Sequence, residues 1–92
     1  LPAAGRLVEL EGDVLLSALK RAEDGHALVV RVVNLSDRPR TARLRLFAHA
    51  RSGALADLRE RPLPDGRLEP DAEGWLAFPV GPWRLVTVLV ER

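Results

Sequence analysis

A succession of short apolar runs, each bounded by turn chemistry, constrains this chain most. Ala27 to Asn34 is dominated by Val. Arg40 to Phe47 alternates, with Ala42, Leu44 and Leu46 on one side and Thr41, Arg43 and Arg45 on the other. Branching at Cβ favours extended backbone, and a period of two marks a strand with one buried face. Val14 to Lys20 comes before these runs. Leu55 to Leu58, Trp75 to Val80 and Trp83 to Val90 come after. Ala22-Glu23-Asp24-Gly25, Asn34 to Pro39, Asp71-Ala72-Glu73-Gly74 and Gly81-Pro82 separate them, with residues that turn a chain or tolerate positive φ. Pro62 and Pro64 cannot donate to a ladder, so Arg61 to Gly66 is predicted to break the sheet, leaving Arg67 to Glu69 as a brief edge strand. Leu7 to Leu10 reads as an extra strand or the tail of a linker. Leu15, Leu16 and Leu19 also fit helical spacing, so periodicity leaves Asp13 to Glu23 open.

Seven or eight short strands at roughly 8–12-residue spacing predict an all-β fold, a small antiparallel β-sandwich of immunoglobulin-like kind. Ninety-two residues suffice for one domain. Its expected extent is 13–92, with 1–12 a linker or first edge strand. The chain starts Leu1-Pro2-Ala3-Ala4 rather than with Met, and reads as a piece of a longer protein. Trp83 to Val90 is apolar on both sides. Such a strand is central, or its spare side meets another domain. The stripe carrying Val86 and Val88, or the rim at Trp83, is the expected docking surface.

Several chemistries find no support. Cysteine is absent, which removes disulfides and thiolate metal sites. His26 and His49 stand outside any zinc-binding frame, so no metal is expected in this chain. Asp65, Glu69, Asp71 and Glu73 loosely suggest a calcium loop, but counting from Glu69 puts Val80 where the bidentate Glu belongs. Ser17, Ser36 and Ser52 lack a nucleophile-elbow frame, and no carboxylate pair has an evident cleft. No catalytic residue and no cofactor is therefore assigned. Arg38, Arg40, Arg43 and Arg45 form a basic patch, yet the net charge is +1 and aromatics are 4%. A nucleic-acid partner is not expected on that balance. No apolar run reaches membrane length and no signal peptide is evident, so the expected location is cytoplasmic with no membrane partner. Trp75 and Trp83 admit two readings: a flat platform for pyranose rings, or packing at a rim or a neighbouring domain.

Taken in order, several segments resemble the C-terminal β-domain of glycoside hydrolase family 38, the α-mannosidases. Val14-Leu15-Leu16-Ser17-Ala18-Leu19-Lys20-Arg21-Ala22-Glu23-Asp24-Gly25 resembles the family's strand and turn "v-l-s-a-l-K-x-a-e-d". Val30-Arg31-Val32-Val33-Asn34-Leu35-Ser36-Asp37-Arg38-Pro39 resembles "v-R-l-y-N-p-s-x-x-p". Ala56-Asp57-Leu58-Arg59-Glu60-Arg61-Pro62-Leu63 is similar to "x-n-L-l-E-x-p-l", and Gly81 to Val88 is similar to the closing "P-f-E-I-x-T-l". The likeness spans about residues 13 to 90. It departs at Arg84, where the family has Glu, and at Val33, where it has an aromatic.

The resemblance implies a parent that is a retaining, zinc-dependent α-mannosidase-type hydrolase. Its metal and carboxylates would lie in an N-terminal α/β domain. This chain would then be a non-catalytic accessory sandwich that braces the catalytic and helical domains and lends a loop to the rim of the cleft. Arg31 and Glu60 both sit in the resembling motifs, which makes them candidates for a structural ion pair; an outward Arg31 in water is the other reading. The rival functions are a free-standing carbohydrate-binding module and an immunoglobulin-like interaction module.

Overall fold

The computed structural model describes residues 8–22, 27–46 and 52–91. They form eight strands and no helix: β1 (Val8–Glu11), β2 (Leu15–Arg21), β3 (Ala27–Val33), β4 (Arg40–Leu46), β5 (Ser52–Ala56), β6 (Pro62–Leu68), β7 (Leu76–Val80) and β8 (Leu85–Glu91). Two antiparallel sheets face each other. One has the order β1-β4-β7, the other β2-β3-β8-β5-β6. This is the expected small all-β sandwich. His26, His49, Leu7, Phe47 and the Asp24-Gly25 turn lie outside the described residues.

Alternation puts the core between the sheets. Ala42, Leu44 and Leu46 of β4 meet Leu76, Phe78 and Val80 of β7 and Val8 of β1 on one side. Val30, Val32, Val88 and Val90 face them from the larger sheet. Phe78, Leu44 and Leu76 are the largest of these fully enclosed side chains. Each such side chain stabilises by roughly 1.5–3 kcal/mol relative to exposure, which is why so small a core can hold the fold.

Three expectations are corrected here, and two open readings are decided. Residues 61–66 do not break the sheet: Pro62 and Pro64 lie within β6. That strand is at the sheet edge, where a residue without an N–H is tolerated. Its register with β5 slips between Ala54 and Ala56, and Gly66 crosses so close that a Cβ there would sit 2.7 Å from the Leu55 carbonyl oxygen. Strand β5 is Ser52–Ala56 rather than Leu55 to Leu58, and Leu58 stands in the following turn. The segment left open after Asp13 is a strand over Leu15–Arg21, with a register shift between Leu16 and Ala18. Finally, Val86, Val88 and Val90 point into the core, so the stripe carrying Val86 and Val88 is not a docking surface. Strand β8 is central, between β3 and β5. The ambiguous segment before residue 13 contributes β1, which pairs with β4 from Val8↔Leu46 to Glu11↔Arg43.

One polar side chain joins the two sheets. Asn34, fully buried at the end of β3, donates through Nδ2 to the carbonyls of Arg38 (2.7 Å), Val80 (3.1 Å) and Gly81 (3.2 Å). Its Oδ1 accepts from the backbone N–H of Ser36 at 3.0 Å and the Ser36 hydroxyl at 2.7 Å. A buried amide is costly unless satisfied, and this one is satisfied at both ends.

Candidate functional site

The two outward faces of the sandwich differ in chemistry. On the three-stranded sheet, register places acids opposite arginines, Glu9↔Arg45 and Glu11↔Arg43. Arg45 grips both oxygens of Glu9 at 2.9 Å. Arg43 reaches Glu11 at 3.0 Å and Asp71 at 3.6 Å. Opposite charges facing each other across strands stabilise modestly and leave a hydrated surface. The guanidinium carbons of Arg43 and Arg45 lie 4.6 and 4.4 Å from the centre of the Trp75 ring. That ring is only 9% exposed. Trp75 is thus a covered partner of two cations. Of the basic patch foreseen in the sequence, these acids pair Arg43 and Arg45, and Asp13 lies 3.7 Å from Arg40.

The outer face of the five-stranded sheet is built otherwise. Cross-strand pairing aligns Leu15, Val33 and Leu85 in one row, with Ala18, Arg31, Thr87 and Ala56 in the next. Leu15 is 57% exposed and Leu85 43%. Thr87 is buried, although it faces away from the main core. The segment Asp57 to Arg61, between β5 and β6, flanks this face. Two hollows lie beside it. One, of about 460 Å³, is lined by Ala22, Ala27, Arg59, Glu60, Pro62, Leu89 and Glu91. The other, of about 450 Å³, is lined by Ala56, Asp57, Leu58, Arg59, Arg61, Leu85 and Thr87.

Local chemistry makes the segment a rigid turn. Asp57 Oδ1 accepts from the backbone N–H groups of Arg59 (2.8 Å) and Arg61 (3.0 Å). The Asp57 N–H donates to the Arg61 carbonyl and the Glu60 N–H to the Asp57 carbonyl, at 2.9 and 3.0 Å. The turn from Asp71 to Trp75 repeats this bond for bond: Asp71 Oδ1 accepts from Glu73 and Trp75 N–H groups at 2.9 Å. An Asp side chain mimics a backbone turn in this way. The Arg61 N–H above all holds the Asp57 carboxyl below its usual range, as the Trp75 N–H does for Asp71.

The fourth residue of both turns has positive φ. In one turn it is Gly74, at 87°. In the other it is Glu60, at 65°. A residue with a Cβ is strained there. What the strained position achieves is placement: Glu60 Oε2 lies 2.5 Å from Lys20 Nζ and 3.4 Å from Arg31 Nη2. Arg31 Nη2 is also 3.4 Å from the Leu58 carbonyl oxygen. The side chains of Arg31 and Glu60 are 23% and 19% exposed, so the cluster sits half-buried between the turn and the sheet. Lys20 is a member that the residue-by-residue reading overlooked. Its position opposite Val29, beside the Arg31 row, could have shown it only once the register was known.

Trp83 is placed apart from Trp75. It is 65% exposed, at φ 58°, in a turn closed by the Arg84 N–H on the Gly81 carbonyl at 3.2 Å. Pro82 in second place and a positive φ in third is the signature of a type II turn, where Gly or Asn is usual. Among the described residues, no group of three or more His, Asp or Glu is gathered to hold a metal ion.

These features define a small two-sheet β-sandwich with one hydrated outer face and one partly apolar face. Residues 13–88 match the family model described as glycosyl hydrolases family 38 C-terminal beta sandwich domain. The chain belongs to that family. No curated protein and no solved structure matches it.

Proposed function

We propose that this domain braces the catalytic part of a family 38 glycoside hydrolase polypeptide through the outer face of its five-stranded sheet. The family supports its place as an accessory domain of such a protein. The observation that carries the bracing role is the contrast between the faces. The smaller sheet is covered by paired charges, while the larger exposes Leu15 and Leu85 beside Leu58, itself 71% exposed. Contiguous exposed apolar surface on a small domain marks a partner site. In this reading the parent is an α-mannosidase-type enzyme. In the same reading its zinc and catalytic carboxylates belong to the N-terminal part, as the resemblance implies. The test is removal of residues 8–91 from the full polypeptide. The remainder is expected to unfold at lower temperature and to lose turnover in step with that loss. A remainder of unchanged melting temperature and activity overturns the bracing role.

A second reading, carbohydrate binding at Trp83, is favoured by one observation: a large aromatic held exposed in a strained turn. Backbone strain persists where the surroundings enforce it, often at ligand contacts. Trp75 has little ring surface left for the same role. Calorimetric titration of the chain with mannosides decides, with Trp83→Ala as the control; heat that survives the substitution places the sugar elsewhere.

A further inference from the structure

Four sheet edges bound the sandwich, and each is poorly suited to adding a strand. β6 carries Pro62 and Pro64, β7 carries Pro79, β1 has only four residues, and β2 has a register shift and ends in Lys20 and Arg21. Prolines, irregular pairing, short strands and edge cations all discourage strand addition. Association therefore falls to a face. The hydrated face already satisfies Arg43 and Arg45 with its own acids. On the other face, the apolar lining of the 450 Å³ groove is Ala56 with the exposed Leu58 and Leu85. For scale, an apolar cavity of roughly 150 Å³ already takes a benzene ring.

The rim of that groove is cationic. Arg59 makes no ion pair among the described residues. Arg61 touches Asp57 through Nε at 3.2 Å. Asp57 is the one acid lining the groove, and its oxygens are committed to the Arg59 and Arg61 N–H groups and the Arg61 side chain. Exposed arginines beside apolar side chains favour a partner that brings its own carboxylates.

We propose that this groove receives a segment from elsewhere in the same polypeptide, one that presents an apolar side chain flanked by carboxylates. The inference rests on the bracing role and names the partner's chemistry. To test it, the 92-residue chain is titrated with the rest of the glycoside hydrolase polypeptide, expressed separately, and association is followed by calorimetry. Leu85→Ser is expected to weaken association by at least about tenfold, since it replaces an apolar side chain that the bound segment would bury with a polar one. Arg59→Glu is expected to weaken it severalfold and to flatten its dependence on salt. Both residues are solvent-facing, and an unchanged melting temperature confirms that each variant is folded. Association that both variants leave intact overturns the groove and its acidic partner while the bracing role stands. Loss with Leu85→Ser but no response to Arg59→Glu or to salt overturns the acidic chemistry. No association by the unsubstituted chain overturns the bracing role and this inference together.

Discussion

Asn34 ends β3 and bonds the carbonyls of Val80 and Gly81 on the opposite sheet's last strand and its exit. Alanine in its place would leave buried carbonyls without donors. We expect Asn34→Ala to destabilise by about 2–4 kcal/mol, read as a fall of roughly 10–25 °C in melting temperature. A change under about 3 °C would mean that water replaces the amide without loss. Glu60 offers a finer test, because it combines strain with an ion cluster. Glycine removes the strain and the carboxylate together, whereas alanine removes only the carboxylate. Glu60→Gly should therefore be more stable than Glu60→Ala by about 1 kcal/mol in denaturant unfolding. Equal stabilities would show that the positive φ carries no penalty here. The pair of Arg31 with Glu60 was legible only through the family likeness. In the residues alone, an Arg within a run of valines fits a half-buried cluster and a solvated side chain equally well.

Among elements, the two Asp turns link structure to pH. Both carboxyls are held below the usual range by backbone N–H donors, Arg61 for Asp57 and Trp75 for Asp71. A carboxyl whose folded pKa lies below its unfolded value contributes stability above the unfolded value, and that contribution is lost as pH falls through the folded one. Melting temperature should be insensitive to these groups near neutrality and fall below about pH 4, the ordinary Asp range. The double variant Asp57→Asn, Asp71→Asn should show a shallower acid limb; an identical limb would exclude the turns as its source. Strand existence was mostly readable from the sequence, because β3, β4, β7 and β8 are carried by alternation or Val content. β6 was not, since proline argues against a strand until one knows that the strand lies at an edge. Nor was the inward side of β8, where Leu85, Thr87 and Leu89 compete with Val86, Val88 and Val90. Pairing Val30↔Val88 and Val32↔Val86 decides that, and pairing is a property of two strands. The sequence left Trp75 between a sugar platform and packing at a rim, because nothing in it shows that the outward arginines of β4 fold over the Trp75 ring.

At the scale of the molecule, the accessory role carries its own expectation. The purified chain should turn over no aryl mannoside and retain no stoichiometric zinc by elemental analysis. Turnover that copurifies with the folded domain, or one bound zinc per chain, would contradict that role. The guarded edges have a further consequence for how the domain behaves in a crowd. Strand addition at an edge regenerates an edge, so it can proceed without limit and build fibres. Contact through a face uses that face up. A sandwich whose four borders resist pairing, and which leaves one face bare, has an association that saturates. Mass action can press two such bodies together, but the pair exposes no fresh surface of the same kind to recruit a third.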